Sequence, residues 1–284
     1  MDLDTLPGAP AEADAVALAG VAGLVAAGDV MVLSGAGLST ESGIPDYRGP
    51  TGALRSALPM TYQTFVGDRS ARQRYWARSQ LGWRVIARAE PNAGHHAVAR
   101  LQQRGALTGV VTQNVDGLHQ AGGAGDVVEL HGNLDRVVCL GCHERTPRAE
   151  LDARLRAANE SWEGVATSVN PDGDVTLDET AVAAFRLVDC LGCGGVLKPD
   201  VVFFGENVPP GKVAHCYELV ERSRSLLVLG SSLAVMSGLR FVKRAAALGR
   251  PVAIVNQGWT RGDEHATWKV PAPLGATLTA LAAS

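Results

Sequence analysis

Four of the chain's five cysteines stand in two pairs, Cys139-Leu140-Gly141-Cys142 and Cys190-Leu191-Gly192-Cys193. Each Cys-x-x-Cys forms a knuckle that can turn two thiolates toward one metal, and two knuckles complete a tetrahedral site. Such a site has no open coordination position, so the expected metal, one Zn2+ held by Cys139, Cys142, Cys190 and Cys193, is structural. The pairs lie further apart than in an ordinary zinc ribbon, which leaves residues 143–189 to fold as a lobe of their own. A thioredoxin-like redox pair is the rival reading. Cys216 falls outside the pattern and reads as a small buried hydrophobe.

A second set of residues could do acid–base and nucleotide chemistry. His131 ends an apolar stretch and precedes a glycine, and a histidine titrates near neutral pH, as a general base must. Asn114 and Asp116 follow another apolar run and could hydrogen-bond ribose hydroxyls; the plainer reading is a capped turn. Gly230-Ser231-Ser232 and Asn256-Gln257-Gly258 likewise follow short apolar runs. Polar residues just past the carboxyl ends of strands lie where open α/β sheets bind ligands.

The stretch Val30 to Gly49 supplies the loop such a site needs. Val30, Met31, Val32 and Leu33 suit a buried parallel strand. Gly35, Ala36 and Gly37 then let the backbone turn tightly and come close to a ligand. Ser39 and Thr40 are good residues for opening a helix whose free N–H groups face a phosphate. The loop departs from the dinucleotide fingerprint: Thr40 replaces its third glycine, and no acidic residue ends a second strand about 20 residues on. Instead it continues through Ile44-Pro45-Asp46-Tyr47-Arg48-Gly49. A lone Gly-x-Gly would be compatible with nothing more than a tight turn.

These residues must be positioned by a chain of 284 residues, enough for one large domain and a smaller one. Its net charge of −3 gives no bulk attraction to nucleic acid or anionic membrane, so neither partner is expected. No apolar run approaches the roughly 18 residues of a membrane span. Acidic Asp2 and Asp4 replace the basic segment of a signal peptide. Paired cysteines and a reducing compartment go together, so a cytoplasmic location is expected.

Along the chain, helical patterning is expected over 11–27, with Val16, Leu18, Val21, Leu24 and Val25 facing inward. Residues 50–90 are rich in arginine, helical from Ser70 to Ala89, and read mainly as a surface helix. Another helix starts near Pro91. Strands are expected at Leu107 to Thr112, Val127 to Leu130, Leu226 to Leu229 and Val252 to Val255. Helices are expected at Arg148 to Ala158 and Leu239 to Leu248, and a turn at Asn170-Pro171-Asp172-Gly173. Strands alternating with helices argue for a parallel, doubly wound α/β sheet.

The motifs taken in order resemble those of the sirtuins, the NAD-dependent protein deacylases. They are the string Gly35 to Gly49, Thr112-Gln113-Asn114-Val115-Asp116-Gly117-Leu118-His119, Leu130-His131-Gly132, both cysteine pairs, Lys198-Pro199-Asp200-Val201-Val202-Phe203-Phe204-Gly205-Glu206, Gly230-Ser231-Ser232 and Asn256. Tyr47 stands where many sirtuins have Phe. Arg72-Gln73-Arg74-Tyr75-Trp76-Ala77-Arg78, Pro171-Asp172-Gly173-Asp174-Val175 and Thr260-Arg261-Gly262-Asp263 resemble the class II branch, which includes the animal mitochondrial lipoamidase/ADP-ribosyltransferase sirtuin.

The resemblance implies a Rossmann-like NAD-binding domain (1–49, 91–131 and 200–284). It also implies a small lobe made of a helical module (50–90) and a zinc module (132–199). NAD and an acyl-lysine protein or peptide would meet between them. The acyl oxygen would attack the nicotinamide ribose to give O-acyl-ADP-ribose, with His131 as base and Asn114 and Asp116 beside it. The resemblance assigns the cofactor to Gly35, Ala36, Gly37, Thr40, Asp46, Tyr47, Arg48, Gln113, Val115, Gly230, Ser231, Ser232, Asn256, Gln257, Gly258 and Leu274. It assigns the substrate to Val201, Val202, Phe203, Phe204, Gly205 and Glu206. Tyr75 and Arg78, one helical turn apart, resemble the pair with which desuccinylating sirtuins grip an acidic acyl tail.

Other classes remain in view. A dehydrogenase would use an NAD fold, but no Tyr-x-x-x-Lys pair is present and hydride transfer needs no zinc lobe. A zinc-ribbon binding module would leave the polar strand ends unexplained. Protein mono-ADP-ribosylation, and preference for acidic or lipoyl groups, are the rivals within the family.

Overall fold

The computed structural model describes residues 12–46, 60–164, 177 and 179–283. Tyr47, Arg48 and the turn at 170–173 lie outside these residues, as does the 171–175 motif. The larger unit begins with α1 (Glu12–Ala27) and β1 (Val30–Ser34), and the helical module supplies α2 (Tyr62–Gly67) and α3 (Arg69–Ile86). The larger unit resumes with α4 (Ala93–Gln103), β2 (Leu107–Thr112), α5 (Leu118–Ala121) and β3 (Val127–Glu129). Next come β4 (Gly132–Cys139), β5 (Arg145–Pro147), α6 (Arg148–Ala158), α7 (Glu179–Ala184) and β6 (Leu197–Val201). The chain finishes with α8 (Pro210–Arg222), β7 (Ser225–Leu229), α9 (Met236–Ala247), β8 (Val252–Val255), β9 (Trp268–Val270) and α10 (Leu274–Ala283).

Among the described residues one sheet of six strands has the order β3-β2-β1-β7-β8-β9, and every pairing in it is parallel. This is the Rossmann-like arrangement, with the order reversing between β1 and β7. All five residues of β1 are buried because helices cover both faces of the sheet, which explains its unbroken apolar run. One face packs Val21, Val32, Leu101 and Leu278; the other packs Met31, Leu33, Leu219 and Phe241. No helix among the described residues is long and apolar enough to cross a membrane.

The small lobe joins α2, α3, α6 and α7 to an antiparallel sheet of order β5-β4-β6. Phe65, Tyr75, Trp76, Leu151, Phe185 and Phe203 share its core. Phe65 meets both Tyr75 and Phe203 edge-on, with ring centroids 5.4 and 5.1 Å apart.

Three local expectations are corrected. Val16 is exposed, because at 100° per residue it lies about 180° around α1 from buried Val25. No long helix follows the glycine loop: Ala36–Leu38 and Thr40–Ser42 are single 3-10 turns, and the Ser39 side chain caps neither. The arginine-rich α3 is not a surface helix. It buries Ala71, Tyr75, Trp76, Ala77, Ser79, Gln80 and Ile86, because the lobe packs against more than one of its faces.

Candidate active site

A cavity of about 430 Å3 opens at the carboxyl ends of β1, β2, β7 and β8, where the strand order reverses. It is large enough for a ligand of nucleotide size. Residues 35–37, 113–116, 201–206 and 230–232 line it, together with Asp46, Tyr75, His131, Asn256 and Gln257.

The glycines after β1 are dictated by a close approach. A Cβ on Gly35 would fall 2.8 Å from that of Ser231, and one on Gly37 would fall 2.9 Å from the Gly230 carbonyl oxygen. The Gly37 N–H donates to that same oxygen at 2.8 Å. The β1 and β7 loops are thus pinned together, and residues of both line the cavity.

Beneath that loop lies a buried polar network. The Ser39 hydroxyl donates to Asp116 Oδ2 at 2.7 Å and accepts from Asn114 Nδ2 at 2.9 Å. Asp116 Oδ1 accepts from the Leu118 N–H. Burial nevertheless holds the Asp116 carboxyl above the usual carboxylate range, and the hydrogen bonds only partly offset this. Ser39 also contacts His95 Nε2 at 3.5 Å, while His119 Nε2 lies 2.8 Å from the Ser34 hydroxyl. Both histidines are buried, and burial pushes them down to about 3 and about 4.

His131 sits in the turn between β3 and β4. Its Nδ1 is 2.9 Å from the Gln113 carbonyl oxygen, which can only accept, so Nδ1 carries the proton. Nε2 therefore holds the basic lone pair, and Ser237 Oγ lies 2.8 Å from it. Desolvation pushes His131 down to about 4, overcoming the opposing pull of the Gln113 carbonyl. The ring is thus a neutral base at neutral pH.

The 201–206 segment bridges the two lobes. Val202 N–H donates to the His131 carbonyl at 2.8 Å, and Tyr62 N–H to the Phe204 carbonyl at 2.9 Å. Lys198, only 3% exposed, lies behind it. Its Nζ is 3.1 Å from Glu206 Oε2, donates to the Pro199 and Val201 carbonyls, and lies 4.8 Å from the Phe203 ring centroid. Glu206 Oε2 also accepts from the Phe203 N–H at 2.8 Å.

Four residues named from the sequence do not line the cavity. The Thr40 hydroxyl donates to the Gly37 carbonyl of its own loop. Leu274 is buried beneath Gly230, where a Cβ would meet it at 2.7 Å. The Gly258 carbonyl accepts from Asn256 Nδ2. Arg78 is half-buried one turn along α3 from Tyr75, and only Tyr75 reaches the cavity. The sequence reading missed Ser237 and the junction at Ser39. Ser237 carries no local signal, whereas Ser39 stood inside the glycine loop and was read there as a helix opener.

The four cysteines come together away from this cavity. Their sulfurs all lie within 4.8 Å of one another, with Cys139–Cys193 at 3.4 Å and Cys142–Cys190 at 3.7 Å. Zn–S bonds of about 2.3 Å in a tetrahedron require S···S distances near 3.8 Å, so the donor set fits zinc. Their mutual crowding shows in protonation as well. The Cys142 N–H, with that of Gly141, lowers Cys139 to about 6. The Glu144 N–H favours the Cys142 thiolate, but Cys193, Cys139, burial and Cys190 together push Cys142 up to about 12. Four thiolates this close need a cation.

A family model described as the Sir2 family matches residues 35–237. The chain is 60% identical over 280 residues to NAD-dependent protein deacetylase 1 of Streptomyces coelicolor, covering 99% of this chain and 94% of the relative. It is 52% identical over 258 residues to NAD-dependent protein deacetylase 1 of Mycobacterium avium, covering 89% and 90%. A solved Sir2–p53 peptide–NAD+ structure superposes with a TM-score of 0.72 at 28% identity, covering 92% of this chain and 95% of that one. A Sir2 structure bound to a propionylated peptide gives 0.72 at 27% identity, covering 93% and 96%. The chain belongs to the Sir2 family.

Proposed function

We propose that this protein is an NAD-dependent protein-lysine deacylase and that His131 is its general base. The single observation carrying the reading is the His131 geometry. A neutral imidazole, with its tautomer fixed by the Gln113 carbonyl, stands in a cavity beside the glycine loop and the 201–206 segment. The names of the relatives support the same class of reaction.

NAD, when bound, supplies an electrophilic ribose carbon from which nicotinamide is displaced by the acyl oxygen of the lysine substrate. The chain's own groups do the rest. Gly35, Gly37 and Gly230 let the β1 and β7 loops close on one another at the cavity, where their backbone would receive the diphosphate. Ser39 holds Asn114 and Asp116 at the cavity floor, where their polar edges would bind the nicotinamide ribose. Val201 to Glu206 receives the peptide as an extended segment. His131 would take a proton from a ribose hydroxyl of bound NAD, so that this oxygen could bond the acyl carbon; water would supply the second oxygen, the amide C–N bond would break to free the lysine amine, and the acyl group would leave as O-acyl-ADP-ribose. The four-cysteine site holds a structural zinc that organises the small lobe.

The NAD-binding unit then comprises 1–49, 91–131 and 200–284, with the helical module at 50–90 and the zinc module at 132–199. The α3 motif and Thr260-Arg261-Gly262-Asp263 support placement in the class II branch. In that loop Thr260 bonds Asp263 and the Arg261 N–H donates to the Ser232 carbonyl at 2.9 Å, bracing the serine turn after β7. Deacylation is preferred to ADP-ribosylation of protein because Tyr75 and Phe203 give the cavity an apolar wall suited to an acyl chain.

The test is incubation of the protein with NAD and an acetyl-lysine peptide. O-acetyl-ADP-ribose should form one-for-one with nicotinamide, and His131→Tyr should lower its formation by about 10²-fold or more with the fold intact. Transfer of ADP-ribose to protein without deacylation would overturn the reading.

A further inference from the structure

The His131 lone pair already has a partner at the cavity wall. With Nδ1–H committed to the Gln113 carbonyl, Nε2 can only accept, so the hydroxyl 2.8 Å away donates its hydrogen to it: Ser237 Oγ–H to His131 Nε2. Ser237 itself lines the cavity, from the first turn of α9. A proton travelling along the Nε2 lone-pair direction meets the Ser237 oxygen first.

The surroundings fix this contact. Gly238 follows, and a Cβ there would fall 2.6 Å from Gln113 Oε1. With glycine there, α9 comes this close to the β2 loop, which carries the other half of the imidazole clamp, without displacing the Gln113 amide. Gln113 Nε2 in turn donates to Ser231 Oγ at 2.8 Å, which holds the β2 and β7 loops together. Ser237 and Gln113 thus grip the two ring nitrogens from two loops locked in register.

We propose that Ser237 is a catalytic proton relay between the ribose hydroxyl and His131. This rests on His131 being the base. The ribose O–H proton passes to Ser237 Oγ while the Ser237 hydroxyl proton passes to Nε2. The ribose oxygen keeps the bonding pair for its attack on the acyl carbon. The serine hydroxyl is regenerated, and His131 ends as an imidazolium whose Nδ1–H still donates to Gln113. A hydroxyl suits this role because it donates to neutral Nε2 and accepts from the charged ring without moving.

Ser237→Ala, Ser237→Thr and His131→Tyr are compared by single-turnover assay with NAD and an acetyl-lysine peptide. Nicotinamide and O-acetyl-ADP-ribose are measured separately, and melting temperatures confirm folding. Ser237→Ala should slow O-acetyl-ADP-ribose formation by about 10-fold or more, part of the 10²–10⁴-fold a general base supplies, whereas Ser237→Thr should keep most of the rate. The Ser237 hydroxyl bonds both forms of the ring and bonds the charged form more strongly, so its loss should also move the acid limb of the pH–rate profile downward in Ser237→Ala. Lys212 on α8, which also lowers His131, and Asp46, Asp116, Glu206 and Arg240 around the cavity are unchanged in both variants. A loss below about threefold in Ser237→Ala, a Ser237→Thr variant as slow as alanine, or an unmoved acid limb overturns the relay. If those results come with an inactive His131→Tyr, the relay alone fails; an active His131→Tyr removes the base itself.

Discussion

Glu206→Gln tests how the 201–206 segment is held. Lys198 has a side chain 4% exposed, and its carboxylate partner is 24% exposed. The variant keeps the shape of Glu206 and removes its charge, leaving a buried ammonium with neutral partners: the Pro199 and Val201 carbonyls, the Phe203 and Tyr62 rings and the introduced amide oxygen. Breaking a buried pair costs about 3–5 kcal/mol, and discounting for the exposure of Glu206 and the remaining carbonyls leaves about 2–3 kcal/mol. For a chain of this size that is a fall of about 5–10 °C in melting temperature. Burial already holds the Lys198 amine below its ordinary 10.5. A lysine with a depressed folded pKa opposes folding while charged, so the deficit should shrink as pH rises toward 10.5. Urea unfolding of wild type, Glu206→Gln, Lys198→Met and the double variant gives the numbers. The double variant should lose less than the sum of the singles, since it no longer buries an unpaired charge. A Glu206→Gln loss under about 0.5 kcal/mol, or strict additivity, would refute the reasoning.

Two other outcomes follow from buried groups. His95, His119 and His131 are held near 3, 4 and 4, against an ordinary 6.5. Their depressed values stabilise the fold above pH 6.5 and cease to as pH falls through about 4, because the unfolded chain binds the protons first. Urea titrations should therefore show stability falling on acidification, with a slope approaching about 4 kcal/mol per pH unit near pH 5 for three protons; a flat profile there would contradict it. Cys142→Ser should abolish binding of about one zinc per chain, measured by elemental analysis, and lower the melting temperature through the small lobe. A metal-free preparation with full thermal stability would contradict that.

The sequence was informative where one residue type has one physical use. Paired Cys-x-x-Cys segments declared a metal cluster, and the apolar run of β1 declared a strand buried on both faces. Polar residues after successive strands marked the cavity, because a parallel sheet places all those ends on one edge. What stayed hidden depends on distance across the fold. Ser237 lies 106 positions from His131 and meets it where α9, at Gly238, packs against Gln113. Ser39 looked like a helix cap by type, but its hydroxyl found Asp116 and Asn114 instead, a stronger set of partners than the end of a 3-10 turn. The inward face of α3 was misjudged because half-buried arginines mask aromatic residues that pack from several sides.

The most direct measurement of the central claim is mass spectrometry of the products formed from NAD and an acetyl-lysine peptide by wild type and His131→Tyr. Wild type should give equal amounts of nicotinamide, deacetylated peptide and O-acetyl-ADP-ribose. A folded, zinc-loaded His131→Tyr should give no O-acetyl-ADP-ribose. Wild-type protein that leaves the peptide acetylated, or a folded His131→Tyr that makes O-acetyl-ADP-ribose at the normal rate, would contradict it.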